Sequence, residues 1–333
     1  MNPIVFLLND YRKLTRTGTH WAMVTACLEL GYPVYVTDVT HLEATGTSTL
    51  FAEARRIDRT TLRGDFEPSS LKSGPTVRVN LREVAAIFVR TTPGKDIARA
   101  WAHRLTLEVL RMVADLGVHV INNPAGLQKA SSKLYTVYLP DEFVPRTKVC
   151  HSISSVERFV EELGTPFVVK PLLGSQGRDV YFFDDLRSLN LRQVVENLGS
   201  TGYLVVQEYL EQAMDGDIRV LTVGDQLVGG EHPIGVRRTP AEGERRSNVS
   251  LGGTASVVSL SARQTNICTE IAKLLHQDGI YFAGLDLIGE KVVEANVFSP
   301  SGLQELDRWL AAPCSMEVVR ALLEQNASSQ YRL

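Results

Sequence analysis

The sequence predicts an α/β protein, with a parallel sheet at the N-terminal end and α+β lobes after it. Three observations predict this class. The chain opens on strand, helix, strand. Its middle carries two strands flanking a glycine-containing loop. Its end carries an apolar hairpin and a last helix. A length of 333 residues leaves room for two or three domains. Hydrophobic residues at 44% and charged residues at 22% describe an ordinary globular chain.

Taken in order, Pro3 to Leu8 reads as a buried strand, Thr19 to Leu30 as a helix closed by Gly31, and Val34 to Val36 as a second strand. Such a βαβ opening requires a crossover and so implies parallel pairing. Residues 44–80 are polar and weakly patterned, and read as loops with short strands. A strand at Ala85–Val89, a helix over 97–116 and a strand at Val118–Ile121 complete a first domain, 1–121. The second, 122–205, holds a helix at Ser131–Leu139, a strand at Arg146–Val149 and a helix to Leu163 with a capping box from Ser154 to Glu157. Strands at Phe167–Lys170, Val180–Phe183 and Leu204–Glu208 follow. The third domain, 206–327, carries strands at 218–223 and 226–231, a helix boxed by Ser261 and Gln264, the hairpin and a helix from Met316.

Charge and composition exclude several classes. A net charge of −3 argues against general nucleic-acid binding. Cys27, Cys150, Cys268 and Cys314 show no metal-ligand spacing and read as reduced thiols of a cytoplasmic protein. The first apolar run lacks the basic flank and length of a signal peptide. No stretch approaches the roughly 20 apolar residues of a membrane span.

The hairpin Gly284–Gly302 carries the sharpest chemistry. Asp286, Glu294 and Asn296 interrupt apolar strands, where polar side chains are costly to bury without partners. Glu294 and Asn296 are two apart, so a strand aims both at one face. A two-residue turn at Gly289-Glu290 would pair Asp286 with Val293 and aim it away. A three-residue connection from Gly289 to Lys291 pairs Asp286 with Glu294 and gathers all three side chains, and this register is the expectation. Two carboxylates and an amide suit Mg²⁺, which leaves its other positions to water and phosphate. A solvated edge hairpin would show a similar pattern.

Three further segments bear on phosphate chemistry. In Val169-Lys170-Pro171 through Gly174-Ser175-Gln176-Gly177, a lysine precedes a loop whose backbone can approach phosphates. Neither GxxxxGK[ST] nor GxGxxG is present, and a plain hairpin turn would also fit. Lys133 sits at the start of a helical segment. Arg219, Arg237, Arg238, Arg245 and Arg246 offer bidentate donors for phosphate or carboxylate. The glycine-flanked stretch from Thr239 to Gly253 reads as a lid.

Together, Val169-Lys-Pro, Gly174–Gly177, Gln207-Glu-Tyr-Leu210, Asp217-Ile-Arg219, Arg246-Ser-Asn248, Gly252-Gly253 and Gly284-Leu-Asp286 through Asn296 resemble, in order, ATP-grasp carboxylate–amine ligases of the glutathione synthetase and RimK kind. The overall layout is closer to bacterial glutathione synthetase, and the loop and Arg-Ser-Asn are closer to RimK-type glutamate ligases. The resemblance implies an ATP-grasp fold behind an N-terminal parallel-sheet domain. It implies that Lys133 and Lys170 contact ATP phosphates, with Gly174, Ser175, Gln176 and Gly177 folding over them. Gln207, Glu208, Tyr209 and Leu210 would hold adenine, and Asp217 the ribose side. Asp286, Glu294 and Asn296 would hold two Mg²⁺ ions, with Mn²⁺ as an alternative. Arg219, Arg238, Arg246 and Asn248 would face the transferring phosphoryl group, and Ser299, Ser301 and Gly302 the substrate. Arg90 would anchor a substrate carboxylate, although Arg90-Thr-Thr-Pro-Gly94 departs from the basic-then-acidic, double-proline segment of the synthetases.

The implied reaction joins a carboxylate to an amine through an acyl phosphate, releasing ADP and phosphate. Acyl phosphates hydrolyse in water, so a lid is needed. Substrates would be small molecules or peptides, and the enzyme a dimer or tetramer. Other readings are a RimK-like glutamate ligase acting on a protein or cofactor tail, a phosphotransferase on the same nucleotide fold, or a non-catalytic nucleotide-binding protein.

Overall fold

The computed structural model describes residues 1–46, 49–59, 71–174, 177–241, 252–310 and 314–329. Its strands form three sheets. The first contains β1 (Ile4–Leu8), β2 (Val34–Asp38), β3 (Leu42–Thr45), β4 (Thr49–Ile57), β5 (Val77–Asn80), β6 (Ala86–Val89) and β7 (Val120–Ile121). Its order is β3-β4-β2-β1-β6-β7, with β5 also on β4. The centre is parallel, as the βαβ opening predicts. The edge is antiparallel, because 42–80, of which 44–80 is expected as loops with short strands, supplies β3, β4 and β5. β4 alternates buried Leu50, Ala52 and Ala54 with more exposed Phe51, Glu53 and Arg55. That is the period-two signature of a half-buried strand, hidden in sequence by the small alanines.

The second sheet, order β10-β9-β11-β8, is antiparallel and comprises β8 (Thr147–Cys150), β9 (Phe167–Pro171), β10 (Tyr181–Phe183) and β11 (Leu204–Glu208). The helices Ile153–Leu163 and Leu191–Thr201 supply its core through Val156, Val160, Val194 and Val195. The first of these is capped by Ser152, whose side chain accepts from the Ser155 amide, and not by Ser154. Gly164, at φ 66, ends it. The helix expected over 131–139 is instead an α-helix, Pro124–Lys129, capped by Asn123, followed by a 3₁₀ segment, Lys133–Tyr138, capped by Ser132.

The third sheet contains β12 (Asp217–Val223), β13 (Gln226–Leu227), β14 (Ile234–Thr239), β15 (Thr254–Ser259), β16 (Phe282–Ile288) and β17 (Lys291–Asn296), ordered β15-β14-β12-β16-β17 with β13 on β12. The strand expected over 226–231 is cut to two residues by Gly229 and Gly230, at φ 103 and 58. The Ser261–Gln264 capping box is present on the helix Ala262–Gln277. A helix at Leu303–Leu310 precedes the last one, Cys314–Ser329.

One apolar core runs from Val5, Leu7 and Ile87 of the first sheet to Ile218, Val220 and Leu285 of the third. Asn122 reinforces the junction. Its buried amide donates to Phe282 O at 2.8 Å and Val297 O at 2.6 Å, and accepts from the Tyr281 and Phe282 amides, both at 2.8 Å. The second sheet keeps a separate core.

Candidate active site

The hairpin register decides which side chains meet. β16 and β17 join through the two residues Gly289 and Glu290, not the three expected. Gly289, at φ 59, takes the turn position that favours glycine. Ile288 then faces Lys291 and Leu287 faces Val292, but Asp286 faces Glu294. Val293 is an extra residue, a bulge that restores the pairing the longer turn would have given. Gly284 faces Asn296, so all three side chains share one side of the sheet.

That side lines a cavity of about 430 Å³ between the second and third sheets, a size suited to a small ligand. Asp217, Arg219, Arg238, Asp286, Glu294 and Asn296 form its floor. Arg219 grips Asp286 through Nε–Oδ1 and through Nη2–Oδ2 at 2.9 Å. Arg238 reaches the same carboxylate at 3.0 Å and holds Asp217 in a fork of two 2.6 Å contacts. Burial alone would raise the Asp286 pKa; the two guanidiniums overcome it and hold the carboxyl down to about 2. Asn296 Nδ2 donates to Asp286 Oδ2 at 3.2 Å. Gly284 makes this packing possible, since a Cβ there would lie 2.8 Å from Arg219 Cδ.

Lys170 is buried on β9 and donates to Gln207 Oε1 at 2.9 Å. Burial lowers its pKa to about 8, against the pull of Glu294. Gln207 is fixed in turn by donating to Thr147 Oγ1 at 2.8 Å. Lys133 donates to Gly174 O at 3.1 Å, and its pKa is also lowered by burial. Two lysines above two carboxylates leave a site with both signs of charge, as a nucleotide polyphosphate with its cation requires.

The donor set fits a hard divalent cation in chemistry. Glu294 makes no ion pair or hydrogen bond with the described residues, Asn296 could offer its amide oxygen on rotation, and Asp286 could hold a cation only by giving up a guanidinium contact. Among the described residues no cluster of three or more His, Cys, Asp or Glu forms a metal site by itself. The remaining ligands would therefore come from phosphate and water.

The structure brings Lys133, Lys170, Gly174, Gly177, Gln207, Glu208, Tyr209, Leu210, Asp217, Arg219, Arg238, Asp286, Glu294, Asn296, Ser299 and Ser301 to one cavity. Arg219 and Arg238, expected to face a phosphoryl group, are here engaged by carboxylates. Asp217, expected at a ribose, is engaged by the Arg238 guanidinium. Ser175, Gln176, Arg246 and Asn248 lie outside the described residues, as does most of the lid segment, which connects β14 to β15. Gly302, at φ 124, backs Arg219. Arg90 does not line the cavity. It is buried, donates from Nη2 to Pro300 O at 2.7 Å, and has its pKa lowered by burial to about 9. His20 joins the Arg90 carbonyl to Ser299 Oγ at 3.2 and 2.9 Å.

The cavity is also lined by the apolar Val168, Phe182, Ile288 and Val293, and by the polar Thr92, Lys95 and Arg178. Val168 stands two before Lys170, so strand alternation carries that signal. Lys95 and Arg178 come from turns, where periodicity gives none.

Models of the prokaryotic glutathione synthetase N-terminal domain and ATP-grasp domain match residues 3–128 and 132–310. The glutathione synthetase of Synechococcus elongatus is 36% identical over 253 residues, spanning 75% of this chain and 74% of the relative. That of a Nostoc species is 31% identical over 339 residues, spanning 98% and 99%. Among solved structures, D-cycloserine synthetase DcsG superposes with a TM-score of 0.65 at 16% identity, over 97% of this chain and 100% of that one. The ATP-grasp ligase PsnB, complexed with minimal precursor, Mg and ADP, gives 0.59 at 17% identity, over 97% and 98%. These two share the fold. With both family models covering successive parts of the chain, and whole-length relatives above 30% identity, the protein belongs to the prokaryotic glutathione synthetase family and is an ATP-dependent C–N ligase of the ATP-grasp fold.

Proposed function

We propose that the protein forms the amide bond of glutathione, joining the cysteinyl carboxylate of γ-glutamylcysteine to the amine of glycine. The observation that carries this reading is the ladder Arg219–Asp286–Glu294, with Asn296 beside it, facing Lys133 and Lys170 across one cavity.

Gln207 to Leu210, with Val168, Phe182 and Ile288, form the end that would receive adenine. Lys170 and Lys133 neutralise phosphate charge, and the carbonyl of Gly174 keeps Lys133 on station. Asp286, Glu294 and Asn296 would hold two Mg²⁺ ions, which supply charge neutralisation at the phosphates when bound. Arg219 and Arg238, on the same floor, would steady the charge that develops on the transferring group. Ser299 and Ser301 line the acceptor end, braced from below by Arg90 and His20. Positioning and charge account for the chemistry, and no nucleophilic side chain is required.

The test is ADP and phosphate release in Mg²⁺ with γ-glutamylcysteine and glycine, with mass detection of the product. A new amide with stoichiometric phosphate is expected. A stable phosphorylated product would place the protein among phosphotransferases instead, and ADP and phosphate with no new amide would leave ATP hydrolysis alone and overturn the reading.

A further inference from the structure

We infer that Lys95 and Arg178 together hold an anionic group of the acid substrate, remote from its reacting carboxylate. This rests on the ligase reading above and specifies what the substrate must carry.

The two cations come from separate turns that line one cavity. Lys95 ends the 3₁₀ turn Pro93–Lys95 beyond β6. Arg178 follows Gly177 in the turn between β9 and β10, between positive-φ positions at Gly177 (67) and Asp179 (55). Both line the same cavity as Thr92, Ser299 and Ser301. Neither has an ion-pair partner among the described residues.

The neighbours of Lys95 are informative. Burial lowers its pKa, and the charges acting with burial are those of Arg178 and Arg219, both cationic. Arg219 is already matched by Asp286. The adjacent Asp96 is taken by Arg99 and His103, each at 2.9 Å. Lys95 and Arg178 are therefore two facing cations with no carboxylate between them, an arrangement that repels itself until an anion enters.

Position decides which anion. The nucleotide phosphates have Lys133 and Lys170, deeper in the cavity and beside Gln207. Lys95 and Thr92 belong to the end bounded by Ser299 and Ser301, where the acid and amine would meet. A carboxylate on the non-reacting arm of the acid, such as the glutamyl α-carboxylate of γ-glutamylcysteine, matches a lysine–arginine pair. Among the described residues the same end presents Thr92 but no free carboxylate, so a substrate ammonium gains no ion pair from them. The pair thus selects for the remote carboxylate and is indifferent to the amine beside it.

Calorimetric binding to the full chain tests this, with Mg²⁺ and a non-hydrolysable ATP analogue present. The probes are γ-glutamylcysteine, its glutamyl α-amide and its N-acetyl derivative. Wild type should bind the acid roughly 10- to 100-fold more tightly than the α-amide, the difference expected for a charged hydrogen-bonded contact. The N-acetyl form should stay within about threefold, roughly the scale of a surface change. Lys95→Gln and Arg178→Gln should each erode the acid-over-amide ratio, Lys95→Arg should keep it, and affinity for the ATP analogue should not move. An unchanged ratio in both glutamine variants overturns the inference while the ligase reading stands. Loss of ATP-analogue affinity in their place assigns the pair to the triphosphate and also overturns it. Failure of wild type to bind any of the three acids overturns both readings.

Discussion

Asp286 lies directly across the β16–β17 ladder from Glu294, although the turn between the strands holds two residues, because Val293 is bulged out of register. The two acids share a face but not an environment. Asp286 is clamped by two arginines, and Glu294 has no such partner among the described residues.

That difference separates two conservative substitutions. Asp286→Asn takes from Arg219 its carboxylate and leaves Arg238 with Asp217 alone, and should cost on the order of 3 kcal/mol of stability, together with activity. Glu294→Gln should leave stability within about 0.5 kcal/mol and still remove Mg²⁺-dependent ADP release. Urea unfolding beside an ADP assay checks both. Equal destabilisation, or a fully active Glu294→Gln enzyme, would contradict the assignment.

Lys170 predicts a pH dependence. Its folded pKa, about 8, lies below the ordinary lysine value of 10.5. Between these values the unfolded chain binds more protons than the folded one, so this group's contribution to stability rises with pH across the window. Below about pH 8 both states are protonated and the full burial penalty is present. Lys170→Met should therefore stabilise the nucleotide-free protein at pH 7 and flatten its stability between pH 8 and 10.5. Chemical denaturation across that range measures it; the same slope in the variant would refute the idea.

At Gly284 an added methyl meets Arg219 Cδ at 2.8 Å and Pro300 Cβ at 3.1 Å. Gly284→Ala should cost about 1–3 kcal/mol, as overpacking does, and should displace Arg219 from Asp286. Thermal unfolding and turnover should fall together. A variant as stable and active as wild type would show that Arg219 is free to move.

Capping offers a test in the second sheet's domain. Ser152→Ala should cost about 1 kcal/mol, because it caps the helix Ile153–Leu163, whereas Ser154→Ala should cost only a few tenths. The reverse order would reinstate the cap expected from sequence.

Much of the fold was legible wherever one physical signal dominated. Phe6 and Val36 sit in buried strands, and Ser261 with Gln264 caps as its spacing requires. The antiparallel edge at 42–57 was not, because Ala52 and Ala54 are too small to announce a buried face. In the hairpin the gathered oxygens were foreseen for a partly mistaken reason: a two-residue turn plus a bulge counts the same as a three-residue turn. Arg90, which the resemblance offers as an anchor for a substrate carboxylate, is buried and donates to Pro300 O, a tertiary contact that no local pattern announces. Lys95 and Arg178 left no trace, since residues brought together by two separate turns share no period.

Asn122 carries a mechanical consequence. Prising the first sheet from the third means breaking four hydrogen bonds to one buried amide and splitting a continuous apolar core. The second sheet has a core of its own. Swinging it toward or away from the carboxylate floor does not split that shared core, so the jaw that carries Lys170 is the element able to travel while the acidic one stays anchored.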